Sequence, residues 1–66
     1  METLAERLRL MRVLAKLKQY QVAQAVGIPQ ATLCQFELGK RIPGPEMADR
    51  IECVIKSLMK EGNMQS

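Results

Sequence analysis

Histidine and tryptophan are absent from this chain, and tyrosine and phenylalanine occur once each. Without histidine, the side chain that most often serves as general base or metal ligand near neutral pH is missing. Cys34 and Cys53 are the only cysteines, and two thiols cannot complete a four-ligand zinc site. They stand 19 residues apart, outside any CxxC spacing, and are expected to be reduced thiols of a cytosolic protein. The chain has no Ser/Lys or Cys/His pair, no glycine-rich phosphate loop and no clustered pair of carboxylates. An enzyme is therefore not expected, and neither is a metal or a cofactor. No apolar run reaches the roughly 18 residues that suggest a membrane span. Met1-Glu2-Thr3 opens a helical pattern with no signal-peptide core behind it, so a cytoplasmic location is expected.

The 66 residues are expected to form one domain, 1–66. At that size folding buries only about 60% of the unfolded chain's surface, so oligomerisation is the expected source of extra stability. The net charge of +3 is unevenly spread. Residues 1–18 carry Arg7, Arg9, Arg12, Lys16 and Lys18 against Glu2 and Glu6, whereas residues 19–39 hold a single charge, Glu37. Residues 40–66 carry five bases against four acids. Basic excess on both sides of a nearly neutral segment suits a polyanionic partner.

Apolar periodicity predicts only helices. Thr3-Leu4-Ala5-Glu6 fits a capping box, and a first helix runs to about Lys16. Its inward stripe is Leu4, Leu8, Met11 and Ala15, widened by Leu10, Val13, Leu14 and Leu17. A short second helix covers about Gln19 to Val26, with Val22, Ala23 and Val26 inward, and Gly27 ends it. Ile28 plugs the turn, and Pro29 opens the third helix, Gln30 to Leu38, which stops at Gly39. Leu33 and Phe36 face inward there, with Cys34 at the edge as packing. Lys40 to Gly44 form a loop, and a fourth helix runs from Pro45 to Met59 or Lys60. Its inner stripe is Ala48, Ile51, Val54 or Ile55, and Leu58; Gly62-Asn63 ends it and Met64-Gln65-Ser66 fray. A break near Lys56-Ser57 is left open by the pattern. Met11, Met47 and Met59 are read as core or interface filling.

The segment 19–38 carries the functional signal. Two short helices meet at Val26-Gly27-Ile28-Pro29, and the second presents Gln30, Ala31, Thr32 and Gln35 outward, with Lys40-Arg41 just beyond. A solvated helix of that length usually carries Lys and Glu. An uncharged face of amides, a hydroxyl and a methyl matches the donor, acceptor and methyl pattern of base edges in the DNA major groove.

From Leu8 to Leu58 the chain resembles the Cro/repressor (XRE-type) helix-turn-helix family. The resemblance rests on Gln19, Val22-Ala23, Val26-Gly27-Ile28, Gln30-Ala31-Thr32-Leu33, Phe36-Glu37 and Gly39-Lys40 in one register. It implies an all-α, compact four- to five-helix lambda-repressor-like DNA-binding domain. Gln30, Ala31, Thr32 and Gln35 align with positions that face base edges, and Gln19 with a residue that touches phosphate and braces Gln30. Lys40 and Arg41 align with a loop that grips the DNA backbone; by their charge alone, and not from the resemblance, Lys16 and Lys18 are expected to add to the same electrostatic footprint. Arg12 and Glu37 align with a buried ion pair. Two positions depart from the pattern: Leu38 stands where an asparagine is common, and the chain ends on one long helix (residues 45–60) where many members add a fifth.

The function expected from the resemblance is a transcriptional repressor that binds double-stranded DNA as a homodimer on an inverted repeat, with no ligand-sensing module expected beside the motif. Ile55, Leu58 and Met59 are the candidate dimer residues, with packing on the first helix as their other reading. The competing functions are an antitoxin or protein-interaction subunit with a protein partner, and a nucleoid-like binder without sequence preference.

Overall fold

A computed structural model describes the backbone of residues 3–63 and the side chains of residues 3–60. The helical opening expected at Met1-Glu2 and the fraying expected at residues 64–66 lie outside the described residues. Four helices follow in order: α1 (Leu4–Leu14), α2 (Gln19–Val26), α3 (Gln30–Leu38) and α4 (Pro45–Asn63). α1 and α2 each pack against both α3 and α4.

α1 begins as its sequence dictates. The Glu6 N–H donates to Thr3 Oγ1 at 3.1 Å, and the Thr3 hydroxyl donates to Glu6 Oε1 at 3.1 Å. The helix ends at Leu14, two residues before the expected Lys16. There the Lys16 N–H donates to the Val13 carbonyl and the Leu17 N–H to the Arg12 carbonyl, which closes the helix in a Schellman motif. α2 and α3 end on Gly27 (φ 92°) and Gly39 (φ 77°), left-handed positions that glycine fills without a Cβ penalty. Pro29 is the N-cap of α3 and not its first helical residue; its carbonyl accepts the Thr32 and Leu33 N–H groups.

The core is Leu8 of α1, Val22, Ala23 and Val26 of α2, Leu33 and Phe36 of α3, and Ile51 and Ile55 of α4. Met11, Ala15, Leu17, Ile28, Met47 and Val54 pack around it half-buried. Three residues expected to widen the inward stripe of α1 do not. Leu10 and Val13 are exposed, and Leu14 is 70% exposed. A helix of this diameter offers roughly one 100° arc to its neighbours, and Leu8, Met11, Arg12 and Ala15 already fill it.

Either Val54 or Ile55 was expected inside; Ile55 is 2% exposed, and Val54 is half-buried beside it. That placement corrects one of the proposed dimer contacts, because Ile55 is consumed by the core of its own chain. Leu58 is half-buried and Met59 exposed. α4 is continuous through Lys56-Ser57 and runs three residues beyond Lys60, through Gly62. Nothing at Lys56-Ser57 removes a backbone donor, and a glycine near a helix end costs only about 1 kcal/mol. No fifth helix occurs among the described residues.

The two faces of α1 should differ sharply in mutational cost. Leu8→Ala is expected to lose about 2–5 kcal/mol of unfolding free energy. Leu14→Ala should change it by no more than about 0.5 kcal/mol. Urea unfolding of the two variants checks both; equal losses would overturn the inward assignment of Leu8 over Leu14.

Candidate nucleic-acid interface

The site is built outward from a charge pair inside the domain. Arg12 lies in the last turn of α1 and Glu37 in the last turn of α3. Arg12 Nε donates to Glu37 Oε2 at 2.8 Å and Nη2 donates to Glu37 Oε1 at 3.0 Å, a bidentate pair. The Glu37 side chain is 4% exposed and that of Arg12 15%. The third guanidinium nitrogen, Nη1, donates to the Leu17 carbonyl at 2.9 Å. One side chain therefore holds the end of α1, the turn into α2 and the end of α3 together.

The network continues toward the surface. Gln19 Nε2 donates to Glu37 Oε1 at 3.3 Å, and Gln19 Oε1 accepts from Gln30 Nε2 at 3.3 Å. Gln19 and Gln30 are the first residues of α2 and α3, so the two helix starts are coupled through their amides to the buried carboxylate. Among the described residues no buried side-chain nitrogen or oxygen lacks a hydrogen-bond partner. A fully satisfied polar network of this kind fixes geometry, whereas a half-satisfied one would cost stability.

Gln30, Ala31 and Gln35 are exposed on α3, and Thr32 is half-buried. No side chain caps the start of α3, so the positive end of its dipole opens toward the same surface as Gln30. Lys18 is the exposed N-cap residue of α2, where its N–H donates to Gln21 Oε1 at 2.8 Å. Lys40 and Arg41 are exposed just past α3, their N–H groups both donating to the Gln35 carbonyl. Leu38, at the position where asparagine was the expected alternative, is exposed next to them.

Three features had no signal in residue spacing. The bond from Gln19 to Glu37 joins residues 18 apart in the chain, the anchoring of the Leu17 carbonyl involves a backbone atom, and an exposed pair joins Arg7 Nη2 to Glu52 Oε1 at 3.1 Å between α1 and α4. The first depends on how α2 packs against α3, and the second on how the turn after α1 folds back on Arg12. The last is a solvent-exposed bridge of small energetic weight.

Among the described residues, no helix is long and apolar enough to cross a membrane. A protein-family model described as helix-turn-helix matches residues 8–61. No curated protein and no solved structure matches the chain.

Removing one partner of the buried pair leaves the other charge stranded. Glu37→Ala is expected to destabilise the domain by about 3–5 kcal/mol. Thermal and urea unfolding measure this directly, and a variant of wild-type stability would overturn the structural weight given to the pair.

Proposed function

Because this chain belongs to the Cro/repressor (XRE-type) helix-turn-helix family, whose members are DNA-binding transcription regulators, we propose that it is a cytoplasmic repressor that binds an inverted-repeat operator as a homodimer. The observation that carries this reading is the bracing of Gln30. Its Nε2 gives one hydrogen to Gln19 Oε1, which leaves the second hydrogen and Oε1 for a partner. Those two groups are what adenine N7 and N6 require of a bidentate glutamine. An amide already held by a neighbour loses less rotamer freedom on binding than a free one.

Gln35 reads a second base, and Ala31 approaches a thymine methyl. Thr32, half-buried, meets a thymine methyl or a phosphate. Gln19, Lys18, Lys40 and Arg41 hold the DNA backbone and set the register of α3 without reading sequence. One chain covers a half-site, so two chains would address half-sites about 34 Å apart. Leu58 and Met59 remain the candidate dimer contacts on α4 once Ile55 is assigned to the core.

A role as antitoxin or protein-interaction subunit draws support from a different observation. Leu10, Val13 and Leu14 form an exposed apolar strip on α1, at spacings of three and four residues. Salt separates the two readings. DNA binding should weaken with salt with a log–log slope of about −0.9 per phosphate neutralised. A partner held on the apolar strip should show almost none.

Selection of bound duplexes from a random pool is expected to recover a short inverted repeat. Gln30→Ala and Gln35→Ala should each lose about 1–3 kcal/mol of discrimination at one base pair while keeping weak non-specific binding. Unchanged discrimination in both would point to binding without sequence preference. Lys40→Ala should weaken all duplexes alike and reduce the salt slope by about 1 for each chain bound. A sequence-selective loss from that variant would contradict its assignment to phosphate. Absence of binding to every duplex would turn the reading toward a protein partner.

A further inference from the structure

α1, α2 and α3 each hand over to the next segment through a residue in the left-handed region. At α2 and α3 that residue is glycine, Gly27 and Gly39. At α1 it is Lys16, with φ 59°, the sole non-glycine residue of positive φ among the described residues. The surrounding hydrogen bonds are those of a helix C-terminus that glycine fills best: Lys16 N–H to Val13 O at 3.0 Å and Leu17 N–H to Arg12 O at 3.1 Å. A Cβ at this backbone position is unfavourable for any L-residue but tolerated best by asparagine. Lys16 is exposed, so burial does not offset that strain. What lysine adds over glycine is a long stem and a positive charge.

The place of that charge is set by the network described above. Arg12 Nη1 pins the Leu17 carbonyl, the residue after Lys16, and Gln19, three residues after it, contacts Gln30 of α3. Lys16 and Lys18 therefore sit on a turn tied through Gln19 to the start of α3 and through Arg12 to Glu37 near its end, and Lys40 and Arg41 follow that end. Between them the single charge of residues 19–39, Glu37, is neutralised by Arg12. Positive charge thus flanks the neutral helix α3 from two segments, the turn before α2 and the loop after α3.

We infer that Lys16 is a phosphate-contacting residue of the DNA interface, retained in a left-handed backbone position at a cost in stability. The inference rests on the DNA-binding reading and extends it to a residue whose backbone role glycine would fill better. Residues held in strained conformations for function are expected to give variants that are more stable and less active.

The test uses the full chain, a short mixed-sequence DNA duplex and a series of salt concentrations. Lys16→Gly and Lys16→Asn are both expected to melt higher than wild type, by up to about 4–8 °C for the glycine variant. Both should bind the duplex more weakly at low salt, with the log–log slope shallower by about 0.9 per chain. Lys16→Arg should keep the wild-type slope. Lys56→Gln, which removes an exposed charge on α4, should also leave the slope unchanged. Binding of wild type with an unaltered slope in Lys16→Gly would overturn the inference alone. An equal change in Lys56→Gln would overturn it too, since the loss would then follow net charge and not contact. A glycine variant no more stable than wild type would remove the argument from strain. If wild type itself showed no salt-dependent binding, the DNA-binding reading would fall and Lys16 with it.

Discussion

The bidentate pair between Arg12 and Glu37 is the constraint on which the rest of this small domain depends. A helix core of eight residues positions four rods only loosely, because apolar contact has no preferred direction. The pair supplies direction. It fixes the end of α3 to the end of α1, and through the Leu17 carbonyl it fixes the entry into α2. Desolvating two charges is expensive, and the geometry here offsets that with hydrogen bonds from three guanidinium nitrogens.

The same carboxylate links the interior to the surface proposed to read DNA. Glu37 Oε1 accepts from both Arg12 and Gln19, and Gln19 accepts from Gln30. A polar group on the proposed reading surface is thereby held by a chain of bonds that ends inside the protein. Preorganisation of this kind is the physical content of placing a binding site on rigid elements. It also explains how a helix of nine residues, α3, can present its amides in fixed positions although no side chain caps its start.

Much of this was legible in the residue pattern. Four helices, the Thr3 cap, the Gly27 and Gly39 stops, and the inward Leu8, Val22, Ala23, Val26, Leu33, Phe36 and Ile51 all follow from local chemistry and 3.6-residue spacing. Less legible was the outer limit of the core on α1. Leu10, Val13 and Leu14 are as apolar as Leu8, and no local rule says that the neighbouring helices cover only one arc of α1. The end of α1 is not legible either, because lysine carries no stop signal, and its left-handed conformation belongs to the turn that Arg12 anchors.

Sequence by itself determined the elements and the chemical character of each face: helix periodicity, capping and turn residues act within a few positions, so their effects are written in consecutive residues. The uncharged face of α3 between basic flanks belongs to this class. Tertiary structure alone decided which of two adjacent apolar residues, Val54 or Ile55, enters the core, and so removed Ile55 from the surface available for a dimer. It alone joined Gln19 to Glu37 and Gln30, since hydrogen bonds between residues 18 and 11 positions apart depend on how the helices cross. Packing selects among faces that composition leaves equivalent, because burial rewards apolar area wherever neighbours happen to cover it.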